Sequence, residues 1–160
     1  MPIQAGEQMP SGVFGVMTEA GPGAVSTDEL FAGKKVVLVS VPGAFTPTCS
    51  ASHLPGFLQN AEALRAKGVD TIACMSVNDV HVMHAWGKDQ GVGDEIVMLA
   101  DGNGDYAEAL DLVLDGTAFG MGKRGQRFAV IVDDGTATHV AVEDPGQFQV
   151  SKAESVLAAI

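Results

Sequence analysis

Apolar residues recur along the chain in two patterns, as short continuous runs and as runs with a helical period. The continuous runs are rich in β-branched residues, which predicts strands that are covered on both faces of a sheet. These predicted strands cover Lys35–Val41, Thr71–Val77 and Ile96–Ala100. Two further predicted strands, Arg127–Val132 and Thr138–Val142, are joined through an Asp-Asp-Gly segment that is typical of a hairpin turn.

Stretches with helical periodicity separate the predicted strands. The longest runs from Pro47 to Lys67, and we expect Pro55 to kink this helix because proline lacks a donor for the helix ladder. Asn78 and Asp79 are N-cap residue types, so they predict the start of another helix. A shorter helix is predicted near Tyr106–Leu112.

Two Ser-x-x-Glu segments have the form of a capping box, in which the two side chains cap the start of a helix. Ser26 and Glu29 predict a short helix through Phe31, and Ser151 and Glu154 predict the last helix. The residues before the first box, 1–25, are rich in glycine and proline. They predict an irregular extension or a weak hairpin.

The order of these elements predicts the fold class. Strands that alternate with helices imply parallel crossovers, whereas the closing hairpin adds antiparallel strands. We therefore expect an α/β protein of the thioredoxin-like type, with a mixed central β-sheet flanked by helices and an irregular N-terminal extension. The chain has no repeat, low-complexity tract or linker, so we expect one domain over residues 1–160.

Composition narrows the function classes. The chain is 46% apolar and 18% charged, which is typical of a folded globular protein. Nine basic residues against twenty acidic ones give a formal net charge of −11. Such a surface repels nucleic acid and anionic membranes. No basic residue precedes Lys34 and no long apolar run occurs, so we expect no targeting peptide, no membrane span and a cytoplasmic location.

The chain has two cysteines, Cys49 and Cys74. This number excludes a disulfide-rich scaffold and a four-cysteine zinc site. His81 and His84 are three residues apart but have no third ligand, and the other histidines have no ligand spacing with the cysteines. We therefore expect no metal site.

Cys49 occupies the position with the clearest chemical significance. A predicted buried strand ends, the chain turns at Pro42, and Cys49 follows in the first turn of a predicted helix. Free backbone N–H groups and the helix dipole at such a position favour the thiolate form of a cysteine. Thr46 lies three residues earlier, so its hydroxyl can face the sulfur. The alternative interpretation is an inert, buried cysteine.

The segment around Cys49 also resembles a known family. Its sequence, PGAFTPTCS followed by HLPGF at residues 53–57, is similar to the peroxidatic site of the type II (fifth-subfamily) peroxiredoxins. The similarity continues in ACMSVND at residues 73–79, in LADG at residues 99–102 and in Arg127-Phe128, and it covers essentially the whole chain. It implies a thiol-dependent peroxidase that reduces H2O2 and alkyl hydroperoxides, in antioxidant defence and redox homeostasis, with no cofactor. Some members of the family carry a fused glutaredoxin domain, but this sequence has no second cysteine motif for one, so we expect a stand-alone peroxiredoxin.

The resemblance also implies a role for individual residues. Cys49 corresponds to the peroxidatic cysteine, Thr46 and Pro42 complete its surroundings, and Arg127 supplies a guanidinium. From position alone Lys123 and Arg124 are equally good candidates, so the choice of Arg127 rests on the resemblance. The family also implies a homodimer.

The role of Cys74 stays open. It is either a resolving cysteine that attacks oxidised Cys49, or a buried thiol in a protein that glutathione, glutaredoxin or thioredoxin resets directly. A resolving disulfide would need the two Cα atoms within about 7 Å.

Two other functions are weighed against a peroxidase. A general thiol-disulfide oxidoreductase would need a C-x-x-C motif, but Thr46 stands where the first cysteine should be. A peroxide sensor or thiol relay would use the same Cys49.

Overall fold

The computed structural model describes residues 1–160. Its strands are β1 (Val13–Thr18), β2 (Gly21–Ser26), β3 (Lys35–Ser40), β4 (Thr71–Ser76), β5 (Val97–Ala100), β6 (Val113–Asp115), β7 (Lys123–Gly125), β8 (Phe128–Asp133) and β9 (Thr136–Val142). Its helices are α1 (Thr27–Phe31), α2 (Leu54–Gln59), α3 (Ala61–Ala66), α4 (Val80–Gln90), α5 (Asp105–Ala109) and α6 (Ala153–Ala159). A π-helical turn, Cys49–His53, and a 3-10 turn, Thr117–Phe119, complete the structure.

Seven strands form one mixed sheet in the order β2-β1-β5-β4-β3-β8-β9. The three central strands β5, β4 and β3 are parallel, and the outer strands pair antiparallel, so the predicted mixed sheet is confirmed. Along β3, Val37 and Val39 face one hydrophobic core while Val36 and Leu38 face the other. Burial on both faces explains why the sequence of β3 is a continuous apolar run.

The N-terminal region differs from the predicted irregular extension. Strands β1 and β2 form a hairpin that joins the sheet through a bridge between Gly15 and Ala100. The weak hairpin was the correct alternative. The turn between the strands depends on Gly21, whose φ of 112° is readily adopted by glycine alone. The capping box that follows is confirmed, because Ser26 and Glu29 cap each other's backbone at the start of α1.

The helix expected from Pro47 to Lys67 is divided into a π-helical turn and two short helices. In the turn, the Leu54 N–H bonds to the Cys49 carbonyl five residues earlier. The distortion thus lies just before Pro55, which occupies the first turn of α2. A second break falls at Asn60, with φ of −100° and ψ of 8°, and its side chain donates to the Gly56 carbonyl.

The predicted cap of the last helix is wrong. Lys152 is the N-cap residue of α6 and makes no side-chain capping bond. The Ser151 hydroxyl instead donates to the buried Glu143 carboxylate at 2.7 Å. The Ser151 side chain is therefore oriented toward Glu143, and its bond to a charged acceptor is stronger than the neutral bond of a serine cap.

One small element was not predicted from the sequence. Strands β6 and β7 form a separate antiparallel pair. Each has three residues, too few for an alternating pattern to stand out. The helices of the fold are too short or too polar for any of them to cross a lipid bilayer.

Candidate active site

The loop after β3 is anchored to the end of β4. The Val41 N–H donates to the Met75 carbonyl at 3.2 Å. The Ala44 N–H donates to the Asn78 side-chain oxygen at 3.0 Å, and the Ser76 hydroxyl donates to the same oxygen at 2.6 Å. These bonds fix the position of the loop and therefore of the helical turn that follows it.

Cys49 lies in the first turn of that helical segment, as predicted. The first helical bond runs from the Ser50 N–H to the Thr46 carbonyl at 2.9 Å. The Cys49 side chain is fully buried. Next to it, the Ser50 hydroxyl accepts a bond of 2.9 Å from the indole N–H of Trp86, which is also buried in the core.

The Thr46 hydroxyl faces the Cys49 sulfur at 2.8 Å. The same hydroxyl oxygen lies 2.7 Å from the Gly43 carbonyl. A hydroxyl has one proton to donate but can also accept. It therefore donates to a Cys49 thiolate, whereas with a Cys49 thiol it can donate to Gly43 and accept from the S–H group.

The Arg127 guanidinium reaches the same sulfur from the residue before β8. Its Nη2 donates to Cys49 Sγ at 3.1 Å, and its Nη1 lies 2.8 Å from His53 Nδ1. The neighbouring Arg124 points elsewhere and donates to the Met121 and Val77 carbonyls. The structure thus brings together Cys49, Thr46 and Arg127, and leaves Arg124 out.

His53 is a site residue that was not predicted from the sequence. It is fully buried, and its Nε2 lies 3.0 Å from the Ser151 carbonyl. Since a carbonyl only accepts, Nε2 must carry the proton, and Nδ1 accepts from Arg127. Burial, together with the Arg127 charge, lowers the pKa of His53 to about 4. The signal that could have found it is its spacing, because a helical residue four after Cys49 shares its face.

A C-terminal segment, residues 143–151, packs against His53 and Arg127. The Phe148 ring lies 5.0 Å from the His53 ring, and the Arg127 guanidinium carbon lies 5.9 Å from the Phe148 ring centre. The segment is held by Glu143, which accepts from the backbone N–H groups of Gln149 at 2.7 Å and Ser151 at 2.9 Å. Burial raises the pKa of Glu143, but the bonds from Ser151 and Gln149 outweigh it and hold the pKa below its ordinary value.

A cavity of about 290 Å³ opens beside the site. Pro42, Thr48 and Arg127 line it, and Pro42 is half-buried there. Cys49 does not line the cavity, but its sulfur is one hydrogen bond from the Arg127 guanidinium, which does. A larger cavity of about 770 Å³, between α4 and the strands β1 and β5, contains none of these residues.

Cys74 lies in β4, buried in the same core cluster as Cys49. Both cysteines are free thiols. Burial raises the pKa of the Cys74 thiol far above its ordinary range, and the nearby Cys49 adds to this effect while Arg127 opposes it. In this conformation Cys74 is therefore a thiol and not a thiolate nucleophile. No three His, Cys, Asp or Glu side chains converge as metal ligands would.

Comparisons with known proteins place this geometry in context. Residues 4–157 match the family model described as Redoxin. The chain is 46% identical over 160 residues to Peroxiredoxin-2B of Arabidopsis thaliana, and 48% identical over 160 residues to Peroxiredoxin-2C of Oryza sativa subsp. japonica, with 99% of each chain covered in both cases. The crystal structure of reduced Prx3 in complex with H2O2 from Vibrio vulnificus superposes with a TM-score of 0.94 at 50% identity, covering 98% of each chain.

Proposed function

Because the chain belongs to the type II peroxiredoxins of the redoxin family, which are thiol-dependent peroxidases of antioxidant defence, we propose that Cys49 is its peroxidatic cysteine. Thr46, Arg127 and Pro42 form the surroundings in which its sulfur reacts. The observation that carries this proposal is the meeting of two donors, the Thr46 hydroxyl and the Arg127 guanidinium, on one buried sulfur.

The reaction transfers one oxygen from the peroxide to sulfur. The Cys49 thiolate attacks the terminal oxygen of H2O2 or of an organic hydroperoxide, so that an S–O bond forms while the O–O bond breaks. The electron pair of the O–O bond leaves with the other oxygen, which takes a proton from solvent and departs as water or an alcohol. Sulfur is oxidised to sulfenic acid and the peroxide is reduced.

Arg127 and Thr46 assist because negative charge moves from sulfur onto the leaving oxygen during this step. Donors that already bond to the sulfur can also bond to the leaving oxygen as it becomes negative. Interactions that strengthen in the transition state are the ones that raise the rate. The guanidinium is suited to this role because it stays charged and presents a planar fork of donors.

Access to the sulfur requires a small movement. Cys49 has no exposed surface and does not line the cavity beside the site, whose wall includes Pro42, Thr48 and Arg127. We propose that a peroxide enters this cavity and reaches the sulfur when that wall opens. Local openings of this kind are ordinary for functional loops.

We propose that an external thiol, from glutathione, glutaredoxin or thioredoxin, resets the oxidised Cys49. The burial of Cys74 supports this choice, since its raised pKa leaves almost no thiolate to attack the sulfenic acid. Resolution by Cys74 would require the helical turn around Cys49 to unwind first.

We also propose a homodimer, a cytoplasmic location and a single domain over residues 1–160. The homodimer is supported by Phe45 and Phe119, whose side chains are 51% and 84% exposed. Their loops approach each other where the Met121 side chain lies beside Gly43. Exposed aromatic residues beside a functional site are typical of interaction surfaces.

The test compares the native protein with Cys49→Ser and Cys74→Ala, each fully reduced and treated with one equivalent of H2O2. We expect native protein and Cys74→Ala to consume the peroxide and gain the mass of one oxygen. We expect Cys49→Ser to consume none.

Two results would contradict these proposals separately. Peroxide consumption by Cys49→Ser would refute the role of Cys49. Loss of two hydrogen masses in native protein, but not in Cys74→Ala, would show an intramolecular disulfide and make Cys74 the resolving cysteine.

A further inference from the structure

The cavity beside the site combines apolar and acidic walls. Val113, Leu114 and Phe148 provide apolar surface, while Asp115, Glu143 and Asp144 carry carboxylates. Arg127 is the one cationic residue that lines it. The Arg127 guanidinium donates to the Cys49 sulfur. When that sulfur is a thiolate, its negative charge offsets the positive charge that Arg127 presents to the cavity.

The two outer carboxylates are placed to act on an incoming molecule. Asp115 and Asp144 are both exposed, in contrast to Glu143, which is buried and bonded to the C-terminal segment. The N–H and hydroxyl of Thr117 donate to Asp115 and hold the pKa of its carboxyl below the ordinary value, so it is ionised at neutral pH.

One cation faces this acidic wall from a neighbouring strand. Lys123 on β7 is paired with Asp115 on β6, although it does not line the cavity. Lys123 and Arg127 contribute two positive charges around the cavity. The Cys49 thiolate and the three carboxylates contribute four negative charges, so the sum is about −2. A negatively charged group entering the cavity is therefore repelled.

We propose that this cavity selects neutral organic hydroperoxides with an apolar substituent and discriminates against hydroperoxides that carry a carboxylate. The inference rests on the proposed role of Cys49 as peroxidatic cysteine. The apolar residues Val113, Leu114 and Phe148 contact the substituent, and Asp115 and Asp144 repel the anionic form. Two unit charges about 8 Å from an entering carboxylate, in high dielectric, change its rate of entry about fivefold at low salt.

The experiment uses a matched pair of substrates, cumene hydroperoxide and its para-carboxylate derivative, with H2O2 as the reference. Reduced native protein is mixed with each at low and at high salt. The rate of sulfenic acid formation at Cys49 is followed by rapid quenching and mass spectrometry, which needs no reductant.

Two double variants separate local charge from net charge. Asp115→Asn with Asp144→Asn removes the two charges at the cavity, and the amide oxygen that replaces the Asp115 carboxylate can still accept from Thr117. Glu62→Gln with Asp89→Asn removes two exposed charges of α3 and α4 that do not line the cavity. Both variants change the net charge by the same amount.

We expect the native protein to react about fivefold or more faster with the neutral than with the carboxylated substrate at low salt. We expect the cavity variant to raise the rate with the carboxylated substrate about fivefold relative to its own rate with H2O2. High salt should reduce the difference, because salt screens charges at the surface. The control variant should keep the native ratio.

Equal rates for the two organic substrates in native protein would overturn the inference, as would an identical change in both double variants. If H2O2 itself failed to oxidise Cys49, the proposed function would fail instead. The H2O2 reference therefore tells the two failures apart.

Discussion

At the residue scale, the protonation of His53 determines what Arg127 can do. The imidazole donates from Nε2 to Ser151 and accepts at Nδ1 from Arg127. A neutral acceptor orients the guanidinium without cancelling its charge, whereas a carboxylate in the same place would compete with the Cys49 sulfur for it. His53 is thus a positioning residue for the reacting pair.

Two substitutions test this role. In His53→Gln, one side chain can still donate to Ser151 and accept from Arg127, so we expect Cys49 oxidation by H2O2 within about threefold of native. In His53→Phe, the Ser151 carbonyl and the Nη1 group of Arg127 are left unpaired, and we expect the rate to fall about tenfold or more. The measurement is the single-turnover rate of sulfenic acid formation.

The pH dependence of the folding stability provides an independent test of the role of His53. The pKa of His53 is lowered to about 4 in the folded protein, so between pH about 6.5 and 4 the unfolded chain binds the extra proton. Native stability therefore falls as the pH falls through this range, by about 3 kcal/mol. Denaturant titrations should show a smaller fall in His53→Gln. The positioning role would be contradicted if the free energy of unfolding of His53→Gln changed with pH as it does in native protein. Equal rates of Cys49 oxidation in His53→Gln and His53→Phe would also contradict it.

What could be predicted about the site differs from residue to residue. Cys49 and Thr46 are close in sequence, so a helical turn is enough to bring them together. Arg127 is far away in sequence and was selected only by family resemblance. The contacts of His53 could not be predicted, because its partners Arg127 and Ser151 come from distant segments that meet only in the folded chain.

At the scale of elements, the segment from Glu143 to Ser151 depends on one buried carboxylate. Glu143 accepts from the N–H groups of Gln149 and Ser151 and from the Ser151 hydroxyl. Ser151 in turn presents its carbonyl to His53. Consecutive hydrogen bonds therefore connect Glu143 to Arg127 through Ser151 and His53. We expect that weakening the bonds to Glu143 also disturbs the position of Arg127.

Glu143→Gln is expected to destabilise the fold by about 1–3 kcal/mol at neutral pH, because three hydrogen bonds lose their charged acceptor even where the amide oxygen can still accept. Glu143 has a lowered pKa when folded, so its contribution is full above its unfolded pKa and is lost as the pH falls through the folded pKa. The gap between native and variant in urea unfolding should therefore close in acid.

Glu154→Gln is the matched control, since Glu154 is exposed on α6. It should unfold like native protein at both pH values. A constant difference between native protein and Glu143→Gln at all pH values would contradict the assignment.

The same segment shows the limit of local sequence rules. Ser-x-x-Glu predicted a cap at Ser151, yet Ser151 is satisfied by Glu143, which the sequence pattern does not place beside it. At the site itself, helical periodicity predicted one kinked helix but not the wide turn at Cys49–His53. Such choices depend on tertiary contacts that outweigh local propensity.

At the scale of the whole molecule, the sheet was the most predictable part. The strands β3, β4 and β8 are largely buried apolar runs, whereas β5 begins at the exposed Val97; all four were predicted within a few residues. The hairpin of β1 and β2 was harder to predict because glycine and proline weaken the pattern of β2. Its place in the sheet depends on a single bridge to β5.

The proposed homodimer makes a prediction at this scale. Phe119→Ser removes an aromatic side chain that is 84% exposed and supports little of the monomer's core. We expect it to shift sedimentation from dimer to monomer while thermal stability measured at low protein concentration stays near native. Val13→Ser, an exposed residue on β1, is the control and should stay dimeric. A native protein that sediments as a monomer would refute the homodimer.

The bond between Trp86 and Ser50 has a practical consequence. The chain has one tryptophan, and its indole is tied to the residue next to Cys49. We expect oxidation of Cys49 to alter the polarity and hydrogen bonding around this single indole. The unlabelled protein would then contain an intrinsic fluorescent reporter of its own turnover.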